Sequence, residues 1–389
     1  MIMFEQAERI LKKVPVKLCT EEIRLDSALH RILAKDIVSQ IDMPPFDKSA
    51  MDGYALQSSD TSDKFQILET IPAGVVPSKT IHKGHCAKIM TGGKIPQGAD
   101  RVVKREITVE EEGYMKIIGR DENVNICKKG EDVKTSGVVL NKGTILRAAE
   151  IGIAASTGVS LIKVYRRPEI GILTTGSELV PPGCPLEEGQ IYDSNSFSLA
   201  AQVILTGAVV KQISSTSDIR ENIRKSIQKM LGTCDVMFIS GGVSMGDFDY
   251  VPGILKELGV SLHFEKVAVR PGMPTVFGTK EDKFVFGIPG NPVSTFVIFE
   301  IFIKPLLFRM MGFDFQPEKI KGILKTKFKR RTTEREAFVP VRLRDGEVEL
   351  LPYHGSAHIH SLYRANGLMR VTRGVEEILE GSTVHVRLI

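Results

Sequence analysis

The sequence predicts a multidomain α/β protein: a three-layer α/β domain, a small β domain inserted into a helical and extended linking domain, and a C-terminal β-barrel domain. Three observations lead there. Between Pro168 and Gly312 short apolar runs alternate with helical patterns, the signature of strands and helices layered on a largely parallel sheet. Between Asp42 and Gly137 the chain turns to glycine-rich, β-branched segments, and beyond Pro317 short strands of period-two alternation follow one another. At 389 residues the chain exceeds one typical domain, so about two to four are expected.

From the N-terminus, Phe4, Ala7, Ile10 and Leu11 share one helical face, and Leu25, Ala28, Leu29, Ile32 and Leu33 suggest a second helix. The alanine-rich stretch from Gly143 to Leu161 is helical again. Residues 1–42 and 137–167 thus form the linking domain around an insertion at 43–136. Within the insertion Arg101 to Lys104 and Tyr114 to Ile118 read as strands, with turns at Glu112-Gly113 and Pro96-Gln97-Gly98.

The α/β domain spans 168–313. Its expected strands are Ile170 to Leu173, Ala208 to Ile213, Val236 to Ile239, Leu262 to Val269 and Phe284 to Ile288, separated by helices at Phe197 to Leu205, Ile219 to Leu231 and Val251 to Leu258. The apolar run Val293 to Met311 contains Glu300, Lys304 and Pro305. It reads as a buried helix that bends or ends near Pro305, because a membrane span needs about 20 nearly uninterrupted apolar residues. The domain at 317–389 carries alternating strands at Phe338 to Leu343 and Val384 to Leu388, consistent with a barrel.

The loops of the α/β domain carry the chemistry. The strand Val236 to Ile239 breaks at Gly241 and Gly242, which permit positive φ and let successive N–H groups point at an anion. Ser244, Asp247 and Asp249 follow, just before the helical pattern; carboxylates there either cap a helix or gather Mg²⁺ beside a phosphate. Two other strand-end loops have the same character: Thr175-Gly176-Ser177-Glu178, and Pro289-Gly290-Asn291-Pro292 leading to Ser294. Asn291 occupies an N-cap position and Pro292 the first helical one, leaving the following N–H groups free for an anion. If the three strands share a sheet, these loops meet at its carboxyl edge, where open α/β sheets bind ligands.

Composition narrows the class. With 42% hydrophobic and 25% charged residues and a net charge of +5, the chain is ordinary soluble protein and implies no nucleic acid. The basic run Lys325 to Arg335 has Phe328 as its one aromatic and reads as a solvated strand. Five widely spaced cysteines without a CxxC pair point to reduced thiols in a cytoplasm. His358 and His360, near His354, lack carboxylate or cysteine companions and read as exposed barrel histidines rather than a metal site.

Ordered motifs along nearly the whole chain resemble the MoeA family, the molybdopterin molybdenumtransferases of molybdenum-cofactor synthesis, which includes the gephyrin E domain. The motifs are Pro44 to Ala55 (PPFDKSAMDGYA), Ile89 to Gly93, Gly130-Glu131-Asp132, TTGSEL, GQIYDSN from Gly189, SGGVSMGDFDY, VAVRPGMP from Val267, GIPGNPVS and Ala365 to Leu368. The resemblance implies a molybdopterin-binding-like α/β domain and a homodimer. It also implies a reaction in which adenylated molybdopterin and molybdate bind, the dithiolene takes the metal, and Mg²⁺-assisted phosphoanhydride cleavage releases AMP and molybdenum cofactor. Transient partners would be a molybdopterin adenylyltransferase and apo-molybdoenzymes. The rival readings are a molybdopterin adenylyltransferase, whose family shares the GG-loop domain, and a non-catalytic carrier or scaffold.

Carried over motif by motif, the resemblance makes Asp249 and Glu178 the leading metal or hydrolysis carboxylates, with Asp247 as a second choice for the metal and Asp218 as a third acid. Ser217-Asp218 before Ile219 is equally an N-cap signature. Lys266 and Arg270 stand four apart on an extended segment, where alternation puts them on one face to grip an oxyanion. Asp52, Thr91 and Asp132 in the insertion, and Arg335 and Ser356 near the C-terminus, are implied to face the cleft. This chain departs from the family pattern at Cys127-Lys128-Lys129, where many members carry an Arg cluster, and at Met273, where several have Lys.

Overall fold

The computed structural model describes residues 1–243, 250–352 and 355–389. It divides into two compact units, Met1–Glu21 with Val164–Ile389, and Glu22–Lys163.

The first unit is built on a six-stranded sheet in the order Val209–Thr216, Glu169–Thr175, Val236–Ser240, Lys283–Ile288, Val276–Lys280, Ser261–Phe264. The first four strands run parallel; Val276–Lys280 pairs antiparallel with both of its neighbours, so Ser261–Phe264 again runs in the direction of the first four. Val236–Ser240 is buried at every position because helices cover both faces of the sheet. Val236 and Phe238 point into one apolar layer with Leu199 and Val203 of helix Asn195–Thr206 and Val297 of helix Pro292–Ile298. Met237 and Ile239 point into the other, against Ile223 and Ile227 of Arg220–Thr233 and Ile254 and Leu255 of Val251–Glu257. Phe238 meets Phe286 and Phe299 with ring centroids 6.2 and 6.1 Å apart. Burial of one such ring contributes about 1.5–3 kcal/mol.

The segment expected to be one strand from Leu262 to Val269 is two. Ser261–Phe264 closes the sheet, whereas Val269–Arg270 pairs with Glu336–Arg344 of the C-terminal region. The long apolar run is helical throughout, as Pro292–Ile298, a wide i→i+5 turn at Phe299–Ile303, and Lys304–Met310. That wide turn precedes Pro305, whose ring and missing N–H are incompatible with a regular bond to Ile301.

C-terminal strands Glu336–Arg344, Glu347–Leu350, Lys319–Leu324, Thr383–Leu388 and Gly367–Val371 each pair with the next, and the last pairs with the first, so the barrel closes. Leu324, Val341, Val348, Met369 and Val386 fill it. Most of the basic run is not strand; Phe328–Lys329 alone pairs, with Glu377–Ile378. Several of its charges are locally matched: Lys325 to Glu347 at 2.8 Å, Lys327 to Glu377 at 3.0 Å, and buried Arg330 donating to the carbonyls of Val375, Arg335 and Thr372. His358 and His360 are exposed, as expected, but at a 3₁₀ turn, Ile359–Leu362, rather than on a strand. His354 lies outside the described residues.

In the second unit, Arg101–Lys104, Gly53–Leu56, His85–Ile89, Phe65–Ile71, Tyr114–Ile117 and Thr108–Glu111 form a six-stranded sheet in that order. The Glu112-Gly113 turn has φ of 48° and 80°, the mirror-image geometry a tight hairpin needs. The second N-terminal helix does not form. Leu25–Ser27 makes a single 3₁₀ turn, and the N–H groups of His30 and Leu33 bond to Leu146 and Thr144 instead of to their own preceding turn. Ala28, Ile32 and Leu33 remain buried, so the apolar spacing reported burial but not conformation. Ala148–Ser156 is helical, shorter than the alanine-rich stretch suggests. Among the described residues no helix is long and apolar enough to cross a membrane.

Candidate active site

The carboxyl ends of Glu169–Thr175, Val236–Ser240 and Lys283–Ile288 lie side by side, and their loops wall a cleft of 640 Å³. The three loops singled out in the sequence therefore do meet. Gly241 makes their close approach possible. Its φ is +101°, and a Cβ there would sit 2.6 Å from the Thr175 carbonyl oxygen. Its N–H is not free for an anion, because it donates to the Ile288 carbonyl at 3.1 Å.

Of the expected site residues, Thr175, Gly176, Glu178, Asp218, Gly241, Gly242, Pro289, Gly290 and Asn291 line this cleft. Ser177 stands at its rim, its N–H donating to Asp218 Oδ2 at 3.1 Å. Asp218 does not cap the following helix: Ile219 is the N-cap residue, and no side chain caps that end. Asn291 is an N-cap by position, with Pro292 in the first turn, but its side chain turns away from the helix and donates Nδ2 to Ser356 Oγ at 2.9 Å. The Ser356 carbonyl takes the Val293 N–H at 3.0 Å, so that donor, expected to be free for an anion, is occupied. Ser294 is buried inside the helix and is not part of the lining.

Lys266, Arg270 and Arg335 also lie outside the lining. The Val269 N–H bonds back to the Val267 carbonyl at 2.8 Å, a tight turn that breaks the alternation from which a shared face for Lys266 and Arg270 was expected. Arg270 is exposed and donates to Thr332 Oγ1 at 2.8 Å. The Arg335 carbonyl accepts from Arg330. Ser244, Asp247 and Asp249 fall outside the described residues. Among the described residues no group of three acids, histidines or cysteines is poised to hold a metal ion, while Glu178 and Asp218 supply two carboxylates to the one cleft.

In the other unit, Asp52 Oδ1 accepts from both Thr91 Oγ1 and the Thr91 N–H, each at 2.7 Å. That hydroxyl and N–H, helped by the Arg105 charge, hold the Asp52 carboxyl below the usual carboxylate range. Asp132 is exposed. In the departing Cys127-Lys128-Lys129 segment, Lys128 Nζ reaches Asp47 at 3.1 Å and Lys129 Nζ reaches Asp42 at 3.4 Å, so both lysines have acidic partners within their own unit.

Sequence reasoning assigned no role to Asp193 and Asn195, which also line the cleft. Buried Asp193 accepts from Thr174 Oγ1 at 2.8 Å and from the Ser196 N–H at 3.0 Å, tying a strand end to the start of helix Asn195–Thr206. A usable signal was present: Asp-Ser-Asn directly before a helical apolar pattern marks a helix N-terminus, and after a strand it belongs at the sheet edge.

Family models match consecutive parts of the chain: "MoeA N-terminal region (domain I and II)" over residues 2–158, "Probable molybdopterin binding domain" over 171–309, and "MoeA C-terminal region (domain IV)" over 321–389. A Bacillus subtilis protein described as molybdopterin molybdenumtransferase is 34% identical over 387 residues, covering 95% of this chain and 90% of its own length. The chain belongs to the MoeA family. It is an enzyme of that family. A Staphylococcus epidermidis protein of the same description is 34% identical over 396 residues, covering 99% of this chain and 94% of its own length. The crystal structure of a molybdopterin biosynthesis MoeA protein from Pyrococcus horikoshii superposes with a TM-score of 0.85 at 30% identity, with full coverage of both chains. The strand ends and loops that wall the cleft lie within the segment matched as the probable molybdopterin binding domain, and Ala357 and Ile359 of the C-terminal region complete the lining.

Proposed function

We propose that this MoeA-family enzyme inserts molybdenum, delivered as molybdate, into adenylated molybdopterin, with cleavage of the phosphoanhydride and release of AMP and molybdenum cofactor. The observation that carries the reading is the 640 Å³ cleft in which Glu178 and Asp218, the carboxylates besides buried Asp193, share the lining with two glycine-bearing loops, Gly241-Gly242 and Pro289-Gly290. In phosphoanhydride cleavage charge spreads over equatorial oxygens, so positioned polar groups and a cation supply most of the stabilisation and no activated protein nucleophile is needed. Glu178 is the described member of the proposed magnesium set with Asp247 and Asp249, and Asp218, lining the same cleft, is a further oxygen donor, a hard-oxygen chemistry suited to Mg²⁺. When bound, the ion would neutralise charge on the phosphoanhydride oxygens. The glycine loops approach the substrate backbone-first, and Asp218 holds the Ser177 loop against the cleft.

A homodimer fits the surface. Helix Asn195–Thr206 carries Phe197, Ile204 and Leu205 at 60, 65 and 85% exposure, an apolar stripe at helical spacing that a second copy would cover. The reaction is tested by incubating purified protein with adenylated molybdopterin, molybdate and Mg²⁺ while following AMP release and reconstitution of an apo-molybdoenzyme. AMP release that requires molybdate supports the reading. ATP consumption with unadenylated molybdopterin would instead identify an adenylyltransferase, and tight binding without turnover a carrier.

A further inference from the structure

One corner of the cleft holds a polar network in which two buried oxygens are left without partners among the described residues. Asn195, the first residue of its helix, donates Nδ2 to the Gly290 carbonyl at 2.7 Å and to Ser240 Oγ at 2.9 Å. Ser240 Oγ in turn reaches the Pro289 carbonyl at 3.5 Å, and Thr295 Oγ1 donates to the same carbonyl at 2.6 Å. A carbonyl can only accept, so the nitrogen must face Gly290, and the orientation of the carboxamide is fixed by chemistry. The consequence is that, among the described residues, Asn195 Oδ1 is buried with no donor. Thr175 Oγ1 on the neighbouring strand end is likewise buried without a partner, in a residue 6% exposed and packed against Gly241 and Gly242. An unpartnered buried acceptor is costly, and it persists where function holds it in place.

We infer that Asn195 is a positioning residue for the reaction: its carboxamide nitrogen pins the end of strand Val236–Ser240 to the Pro289-Gly290 loop, setting the spacing of the two glycine loops between which the phosphoanhydride lies. The inference rests on the phosphoanhydride reading of the cleft. Asn195 acts through these loops rather than on the reacting atoms. Catalysis that depends on preorganised groups loses rate when a support is released, even where substrate is still bound.

The decisive variant is Asn195→Leu, of similar volume, which removes the two donors and the orphan oxygen together. The expected result is a melting temperature within about 3 °C of the wild type, since the relieved orphan oxygen offsets the two lost bonds, a kcat for AMP release reduced about thirtyfold or more, and a KM for adenylated molybdopterin within about threefold. Asn195→Gln, which keeps the donor on a longer arm, restores part of the rate. Hydrogen exchange in peptides covering 238–243 and 287–292 quickens about tenfold in Asn195→Leu, and in no other part of the sheet. Unchanged kcat, a rise in KM alone, or a rate loss that tracks a fall in melting temperature would each overturn the inference. If wild-type protein released no AMP, the proposed reaction would fail while the exchange measurement would still decide whether Asn195 pins the loops; unaltered exchange overturns it.

Discussion

Ser177 and Asp218 hold each other across two strand-end loops: the Ser177 N–H donates to Asp218 Oδ2 at 3.1 Å, and the Asp218 N–H donates to Ser177 Oγ at 3.3 Å. This reciprocal pair replaces the helix cap that the sequence around Asp218 suggests, and it leaves the carboxylate on the cleft wall. Two substitutions separate its bonding from its charge. Asp218→Asn keeps an acceptor for Ser177 and removes the charge; it is expected to leave the melting temperature within about 2 °C while lowering molybdate-dependent AMP release at least tenfold, on the order of one lost electrostatic contact. Asp218→Ala should lose the loop contact as well and fall further. Equal activity of Asp218→Asn and wild type would show that the charge is not used.

Gly241 is where the fold leaves no room for a side chain. With φ at +101° and a Cβ position 2.6 Å from the Thr175 carbonyl, Gly241→Ala combines backbone strain with a clash against main chain and is expected to destabilise by about 2–4 kcal/mol. Gly253, in helix Val251–Glu257, has nothing among the described residues within 4 Å of its Cβ position, so Gly253→Ala should stabilise by up to about 1 kcal/mol. Urea unfolding of the two variants beside wild type checks both; a Gly241→Ala protein as stable as the parent contradicts the packing described.

Asp52 provides a pH test in the second unit. Its carboxyl is held below the usual range first by the Thr91 hydroxyl and then by the Thr91 N–H. A depressed folded-state value means that the stabilisation is present above the unfolded carboxylate pKa, about 3.9, and is lost as pH falls through the lower folded value. Thr91→Val removes the hydroxyl, so the Asp52 titration midpoint, read by carboxyl carbon NMR, should move upward. The stability difference between Thr91→Val and wild type should be visible at neutral pH and vanish in strong acid. A midpoint unmoved by the substitution would rule out the hydroxyl as the cause.

The parallel core was legible because Ile170 to Leu173, Val236 to Ile239 and Phe284 to Ile288 hold only apolar residues and glycine and are buried on both faces. Val276–Lys280 was not, because its apolar part is only Val276-Phe277 before Gly278, Thr279 and Lys280; Gly278 admits Val260 and Leu262, whose side-chain atoms lie 2.7 and 2.8 Å from its Cβ position. The meeting of the three glycine loops followed from parallel topology alone. The placement of Lys266 and Arg270 did not follow, since alternation presumes a continuous strand and the Val267–Val269 turn ends it. Asp193-Ser194-Asn195 marks a helix start at the sheet edge, but the partners that give these side chains their work, Gly290 for Asn195 and Thr174 for Asp193, are set by the fold and not by local spacing.

The cysteines offer a chemical check. All five are free, as their spacing implies, and they differ sharply in environment. Burial, with the Glu110 charge adding to it, pushes the Cys86 thiol up to about 12, whereas Cys184 is exposed. At pH 8 a thiol-disulfide reagent should label Cys184 within minutes and leave Cys86 and buried Cys234 unmodified until denaturant is added, as read by peptide mass mapping. Rapid native-state labelling of Cys86 would contradict the burial of its strand.

The apolar stripe on helix Asn195–Thr206 tests the proposed dimer. Leu205 is 85% exposed and Ile204 65%, while Leu199, Val203 and Thr206 of the same helix are buried, so Leu205 makes no contribution to the monomer's core. Leu205→Glu should therefore leave the melting of an isolated chain nearly unchanged. Placing a carboxylate in the centre of an apolar interface costs about 2–4 kcal/mol, which raises the dimer dissociation constant at least about thirtyfold. Sedimentation velocity at micromolar concentration should show wild type as a dimer and Leu205→Glu shifted toward monomer. A wild-type monomer, or a dimer indifferent to this substitution, would place the contact between copies elsewhere or remove it.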